Sequence, residues 1–528
     1  MRSRTVRATA AIVTATILAT GCGSDEGIDK GAASTTAGDS GGADPTAILR
    51  FSAIVGPSQD PIRQAHTCEP TTLNAIFDTL FAVDGNGVPQ PRLATGYEQL
   101  ADDVLRLTLR EGVTFQDGTP FNAEAVEFNL DRAKTDPDST IASLLADVES
   151  VEVIDELTVD LHLGASVAGN ILAILSDRAG MMASPTAVAA AGSSEAFAAA
   201  PVGAGMYAID GEWAPREALS VRRWDGYWDT DAQLLGGIDF LDVAFDARPN
   251  AVRSGDLALS MLDSVATGRA VEGSDGLVVE ITESPQYRLF ILNETIAPLD
   301  DLRVRQAISY AIDRQAIADA MTMGESTATY QQFPKRSAAH LETVPDALEY
   351  DPDRALELLT EAGYPNGFKL QSAVGSASPS YIQVGEIIAS QLKKVGIDMT
   401  IDLLDQTQAF VTIVVKGAVQ SSPFGGVSSK DPGRDFRDHY LAEGGINAGK
   451  NEPDGLRELL VAAGATVDPD ERADLFQQAN RLVIEQVQDG VPIYFDPSII
   501  VRRDVVRGIA PGQVDCDFSL RGVSMDKG

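Results

Sequence analysis

Hydrophobic and polar positions alternate in the stretch VLRLTL, so that the three leucines within residues 104–109 share one face. Alternation with a period of two predicts a half-buried strand. Asp117 and Gly118 then mark a tight turn. Asn122 precedes a segment whose apolar residues recur at helical spacing, which predicts a helix capped by Asn122.

A second helix is predicted by the stretch YDPDRALELLTEAGYPNG. Asp351 is a suitable N-cap, and Pro352 fits the first helical position because that position needs no amide hydrogen. Leu356 and Leu359 are predicted to face inward, and Gly363 is predicted to end the helix.

Residues 368–374 and 397–401 read as strands, and residues 383–395 between them read as a helix. This order is a βαβ unit, which predicts parallel strands joined by a right-handed crossover. A further helix is predicted in LDDLRVRQAISYAIDRQAI, beginning with Asp300 and Asp301 and burying Val304, Ile308, Ala311 and Ile312. The chain is therefore expected to be a mixed α/β protein.

The first residues have the layout of a secretory signal, with three arginines followed by an apolar stretch from Ala8 to Ala19. The following sequence, ATGC, resembles a bacterial lipobox, although Ala19 stands where leucine is usual. The resemblance implies cleavage before Cys22 and lipid on that cysteine, so residues 1–21 would be removed. Ordinary cleavage and an inert Cys22 are the alternatives. Residues 22–46 are small and polar, which predicts a flexible linker.

Composition narrows the possible partners. The chain has 528 residues, 77 of them acidic and 41 basic, for a formal net charge of −36. Nucleic acid is therefore not an expected partner, because phosphate binding needs a basic surface. The length after the linker suggests two or three lobes of ordinary domain size. With Cys22 assigned to lipid, Cys68 and Cys516 remain, either as a disulfide or as two free thiols.

No cofactor or metal site is predicted. The four histidines are scattered, and the sequence has no H-E-x-x-H, no Cys-x-x-Cys and no glycine-rich phosphate loop after a predicted strand. A catalytic pair of carboxylates, as in glycosidases, is not excluded by the sequence, because 77 acidic residues provide many accidental pairs.

The order of motifs resembles bacterial extracellular solute-binding protein family 5, the oligopeptide, dipeptide and nickel receptors of ABC importers. The motifs are PQPRLATGYE, LRLTLREGVTFQDGTPFNAEAVEFNLDRA, PVGAGMYAIDGEW, RRWDGYWD, NETIAPLDDLRVRQAISYAIDR, DPDRALELLTEAGYPNGF and VPIYF. The resemblance implies an α/β, periplasmic-binding-protein-like two-lobe fold (type II, cluster C) with an extra subdomain inserted in lobe I.

The resemblance also implies the domain limits. Lobe I would comprise residues 47–292, with the inserted subdomain at about 83–198, and would be completed by residues 490–528. Lobe II would comprise residues 293–489, so the chain would cross near Leu292 and Gly490. This topology places Cys68 and Cys516 in one lobe, which favours their disulfide.

The resemblance implies a ligand-binding segment in FGGVSSKDP. Peptide-binding members have tryptophan, two residues, aspartate, three residues and proline there, and the aspartate pairs with the amino terminus of the peptide. Gly425 and Ser428 occupy the tryptophan and aspartate positions. Asp431 could take over the missing charge, and Phe424 could supply the stacking surface or belong to the core.

These features together predict a substrate-binding lipoprotein on the extracytoplasmic face of the membrane, without reaction chemistry of its own. It would be a monomer that captures a peptide or similar solute between its lobes and delivers it to the membrane subunits of an ABC permease. An oligosaccharide or other non-peptide solute is the alternative within this fold. A secreted surface hydrolase is the alternative from another class.

Overall fold

The computed structural model describes residues 42–63, 70–84, 88–164, 167–214, 217–344, 348–429, 431–510 and 518–527. The predictions for Cys22, Cys68 and Cys516 fall outside these ranges.

The strands are β1 (Ile48–Ser52), β2 (Phe81–Val83), β3 (Pro89–Pro91), β4 (Ala94–Ala101), β5 (Val104–Leu109), β6 (Val148–Asp155), β7 (Thr158–Leu163), β8 (Tyr207–Ile209), β9 (Leu219–Arg223), β10 (Gly237–Leu241), β11 (Leu259–Met261), β12 (Leu277–Leu292), β13 (Lys369–Gly375), β14 (Asp398–Leu404), β15 (Ser421–Val427), β16 (Gly490–Arg503), β17 (Val506–Arg507) and β18 (Ser524–Met525).

The α-helices are α1 (Pro70–Ile76), α2 (Ala123–Thr135), α3 (Ala168–Ile174), α4 (Pro185–Ala191), α5 (Ser194–Ala199), α6 (Arg248–Ser254), α7 (Val265–Val271), α8 (Leu302–Ala311), α9 (Arg314–Thr322), α10 (Pro352–Glu361), α11 (Pro379–Leu392), α12 (Gln406–Phe410), α13 (Pro432–Tyr440), α14 (Leu456–Ala465) and α15 (Pro469–Glu485). Short 3-10 turns lie at Ala142–Leu145, Arg178–Gly180 and Lys393–Val395, and a π-helical turn follows α12 at Val411–Val415. None of the helices in the described ranges is long and apolar enough to cross a bilayer.

A ten-stranded sheet is the central element of the fold, and its strand order is β14-β13-β15-β12-β16-β11-β1-β10-β9-β8. The two longest strands, β12 and β16, are antiparallel neighbours at its centre, and their pairing register shifts between Glu283 and Tyr287. One apolar core packs on the β1, β10 and β11 part of the sheet, and another packs beneath α8 to α11 on the β13 and β14 part. The two central strands therefore link two separately packed halves.

A separate antiparallel sheet, in the order β4-β5-β7-β6, has its own core with α2 and α3. The predicted strand at residues 104–109 is β5, and its leucines are buried. The predicted cap is also present, because the amide of Ala125 donates to Oδ1 of Asn122 at 3.0 Å. These local predictions are confirmed.

The predicted βαβ unit is confirmed, since β13 and β14 pair in parallel with α11 between them. Asp351 caps α10 as predicted, and Leu359 is buried. The prediction for Leu356 is wrong, because its side chain is 40% exposed. Ala355, Leu358 and Leu359 form the buried stripe, and Leu356 lies about 100° around the helix from Ala355.

Candidate ligand-binding site

The carboxyl ends of β13, β14 and β15 point to one edge of the sheet, because β13 runs parallel to both of the others. The loops and helix starts beyond such an edge are the usual ligand-binding position in open α/β sheets. At the same edge, β15 pairs with β12, which in turn pairs with β16. The edge therefore lies where the two central strands pass from one half of the molecule to the other.

Phe424 and Gly425 lie within β15. Phe424 is half-buried beside Leu289 and contributes to two small apolar clusters. Gly425 is paired with Arg288. A β-carbon at Gly425 would lie 2.8 Å from Nη1 of Arg288 and 3.2 Å from the hydroxyl oxygen of Tyr381. The space that a larger side chain would need at this position is thus already occupied.

Arg288 is the functional candidate that the sequence analysis missed. Its Nη2 lies 2.6 Å from Oδ2 of Asp496, and its guanidinium carbon lies 4.6 Å from the centre of the Tyr381 ring. Burial lowers the pKa of Arg288, but the neighbouring Asp496 outweighs this effect, so that the pKa lies above its ordinary value. The sequence feature that could have indicated this residue is that Arg288 is the one charged residue in the stretch RLFIL.

Ser428 is buried just beyond the end of β15. Its hydroxyl donates to the carbonyl of Gln332 at 2.9 Å, and its amide donates to the carbonyl of Pro285 at 2.9 Å. Both bonds are internal to the protein. They hold the end of β15 against Pro285 of β12 and against the segment that follows α9 at Gln332.

Asp431 is the N-cap of α13, where Oδ1 accepts from the amide of Gly433 at 3.1 Å. The same oxygen accepts from Nη2 of Arg472 at 2.8 Å. Its Oδ2 is buried and accepts no hydrogen bond, and the nearest further cation is Arg437 at 3.9 Å. The charge of Asp431 is therefore balanced by these two arginines. Asp431 takes no part in the group around Gly425. The part of all four predicted residues in ligand binding stays a prediction.

A buried polar network lies behind β12. The hydroxyl of Tyr287 lies 2.8 Å from Nε2 of His439, and Nδ1 of His439 lies 2.9 Å from Oδ2 of Asp489. Burial, and then the charge of Asp489, raise the pKa of Glu294 to about 7. Burial likewise raises the pKa of Asp435 to about 7. Glu294 and Asp435 are thus two buried acids whose pKa is raised to near neutral pH.

Helix α3 of the smaller sheet's core packs against α14 and the start of α15. Arg472 on α15 donates from Nη2 to Oδ1 of Asn170 at 3.2 Å. The backbones approach closely, since a β-carbon at Gly169 would lie 2.2 Å from the carbonyl oxygen of Thr466, and one at Gly464 would lie 2.6 Å from Nδ2 of Asn170. The core of the smaller sheet is therefore in contact with α14 and α15, and Arg472 links this contact to Asp431.

Among the described residues, no group of three or more His, Cys, Asp or Glu side chains could hold a metal ion. The polar groups that meet at the candidate site are the guanidinium of Arg288, the carboxylate of Asp496 and the side chains of Tyr381 and Tyr494. This set can hydrogen-bond and pair with a solute.

The model of the bacterial extracellular solute-binding proteins, family 5, matches residues 88–448, which is more than half of the chain. The chain belongs to this family. The glutathione-binding protein GsiB of Shigella flexneri is 29% identical to this family member over 446 residues, which cover 81% of this chain and 85% of that protein.

Solved structures of similar proteins have the same fold. The substrate-binding protein CtaP of Listeria monocytogenes superposes with a TM-score of 0.81 at 19% identity, covering 92% of this chain and 100% of that one. The periplasmic binding protein DppA of Helicobacter pylori, solved with the peptide STSA, gives a TM-score of 0.74 at 22% identity, covering 91% and 98%. The predicted two-lobe fold is confirmed, and the family match makes this chain an extracellular solute-binding protein.

Proposed function

We propose that this family 5 protein captures a short peptide between its two lobes and presents it to the membrane subunits of an ABC permease. The observation that carries the proposal is the position of β15. The strand that holds Phe424 and Gly425 lies beside β12, and β12 together with its other neighbour β16 links the two halves of the molecule. The 29% identity to a glutathione-binding protein supports a peptide-sized solute, because glutathione is a tripeptide.

Capture would proceed by closure of lobe II, residues 293–489, onto lobe I, residues 47–292 and 490–528, with the inserted subdomain at about 83–198. A solute that contacts both lobes favours the closed arrangement, because its binding energy is realised in full only there. The contact between α3 and the α14–α15 region supports this proposal, since it would join the inserted subdomain to lobe II if the domain limits are as proposed here. In this account the protein has no reaction chemistry of its own.

The proposed location rests on the first residues of the chain. Lipid on Cys22 would tether the protein to the extracytoplasmic face of the membrane, and the polar linker would let the folded lobes stand away from it. We propose that the mature protein is a monomer and that a disulfide between Cys68 and Cys516 joins the two segments of lobe I. These features rest on the leader sequence and on the family resemblance.

Mass spectrometry of the solute that accompanies the purified protein tests the proposed function. The full chain is purified under gentle conditions and then denatured, and the released small molecules are identified. A peptide of a few residues is the expected result. An oligosaccharide or a cofactor in its place would contradict the peptide assignment, and turnover of an added substrate would contradict the transport function.

A further inference from the structure

The site around Gly425 is built differently from the aromatic and acidic arrangement implied by the family resemblance. Gly425 has no side chain, and the volume above it holds the guanidinium of Arg288 and the hydroxyl of Tyr381. The hydroxyl of Tyr381 donates to the carbonyl of Gly425 at 3.4 Å, so the three residues form one unit. A cation thus stands where the resemblance implies an uncharged ring.

The guanidinium of Arg288 is fixed but incompletely paired. Asp496 holds Nη2 at 2.6 Å, and the ring of Tyr381 covers one face at 4.6 Å. Nε is buried and has no hydrogen-bond partner. Leaving a charged donor unpaired in a buried place is costly, so an acceptor from a bound solute would be favourable there.

This group is partly exposed. The side chains of Arg288 and Asp496 are each 17% exposed, and Tyr381 and Gly425 are half-buried. Tyr381 lies in the first turn of α11, which follows β13 at the carboxyl edge of the sheet. The group therefore borders the edge at which a solute would bind.

The charges favour an anion over an amine. Ser428 supplies no carboxylate, and its hydroxyl is engaged with Gln332. Asp431 faces two guanidiniums, those of Arg472 at 2.8 Å and Arg437 at 3.9 Å, whereas Arg288 pairs with one carboxylate. A guanidinium, in contrast, presents planar donors that match the two oxygens of a carboxylate.

We infer that Arg288, held by Asp496 and covered by Tyr381, binds a carboxylate of the solute and thereby determines specificity. This inference rests on the proposed function and adds the chemical class of solute that the site recognises. Asp496 and Tyr381 act as positioning residues, which keep the guanidinium in place when the cleft is empty.

Calorimetric titration of the full chain, freed of solute, with four probes tests the inference under reducing conditions. The probes are glutathione, N-acetylglutathione with its amine blocked, glutathione diethyl ester with its carboxylates blocked, and inorganic phosphate. Wild type is compared with Arg288→Gln and with Arg354→Gln, a matched control on the exposed side of α10, where Arg354 pairs with Glu357. Thermal melting shows whether each variant is folded.

The expected result is that the diethyl ester binds at least about tenfold more weakly than glutathione, as the loss of a charge-assisted hydrogen bond implies. N-acetylation should change the affinity for glutathione by less than about threefold, which is a smaller change than esterification should cause. Arg288→Gln should weaken glutathione binding at least about tenfold and remove the preference for glutathione over its ester, while Arg354→Gln does neither. If Arg288→Gln does not fold, Arg288→Lys takes its place. It keeps the charge opposite Asp496 but loses the planar fork, and should bind at least about fivefold more weakly.

Equal binding of glutathione and its diethyl ester, or unchanged binding by a folded Arg288 variant, would overturn the inference and leave the proposed function intact. Binding of inorganic phosphate without any of the three tripeptides would overturn the carboxylate assignment. Failure of wild type to bind any tripeptide would contradict the peptide function, and the inference would fall with it.

Discussion

At the scale of single residues, the absence of a side chain at Gly425 is as informative as the presence of Arg288. The sequence showed that both members of the expected aromatic and acidic pair are missing. It did not show what fills the space, because Arg288 is 137 positions earlier in the chain and reaches Gly425 only through the pairing of β12 with β15. Cross-strand neighbours depend on register, which local periodicity does not fix.

Gly425→Ala tests this packing directly. The added β-carbon would lie 2.8 Å from the carbonyl oxygen of Tyr287 as well as from Arg288, so the backbone would have to shift. We expect the free energy of unfolding, measured by urea titration, to fall by about 1 to 3 kcal/mol. Gly445→Ala is the matched control, because nothing lies within 4 Å of its β-carbon. Equal stability of the two variants would contradict the packing described.

Glu294→Gln tests the buried acids behind β12. The pKa of Glu294 is raised from 4.5 to about 7, so its stabilising contribution is fully present below pH 4.5 and is lost as the pH rises to about 7. The variant should therefore gain stability relative to wild type between pH 4.5 and 7, by at most about 3 kcal/mol. Urea titrations across this range measure the difference, with exposed Glu124→Gln as the control. A constant difference between variant and wild type would contradict the assignment.

At the scale of elements, local sequence patterns predicted most of what the structure contains. The strand β5, the capped helix α2 and the β13-α11-β14 unit were all predicted, because their signals lie within one stretch of chain. Leu356 was placed on the wrong face because the face of α10 that is buried depends on the position of α8. The contact between α3 and α14 could not be predicted for the same reason, since it joins distant segments.

Gly169→Ala tests whether that contact holds the lobes together. Its β-carbon would lie 2.2 Å from the carbonyl oxygen of Thr466 at the end of α14, and separation of the two helices would relieve the clash. We expect a larger radius of gyration by small-angle scattering and weaker glutathione binding, because the closed state is less populated. Gly96→Ala in β4, with nothing within 4 Å of its β-carbon, is the control. If neither quantity changes in Gly169→Ala, this contact does not contribute to closure.

At the scale of the whole molecule, the order of motifs predicted the family and the two-lobe fold, and both are confirmed. The ligand class depends on a few side chains from distant segments, such as Arg288, Tyr381 and Asp496, and needed the three-dimensional arrangement. The lipid anchor and the disulfide stay predictions from the sequence.

Cys22→Ala tests the anchor. Without the cysteine no lipid can be attached, so the protein should move from the membrane fraction to the soluble extracytoplasmic fraction. Immunoblotting of the two fractions measures this, and Cys68→Ala is the matched control that should stay with the membrane. Retention of Cys22→Ala in the membrane fraction would show that another feature anchors the protein.

Uptake by intact cells tests whether this protein delivers a peptide to a permease. A strain that lacks this protein is supplied with a radiolabelled form of the peptide that mass spectrometry identifies in the purified protein. The initial uptake rate should fall markedly in this strain, wild type should restore it, and a folded Arg288→Gln variant should restore it poorly. An unchanged uptake rate in the deficient strain would contradict the account.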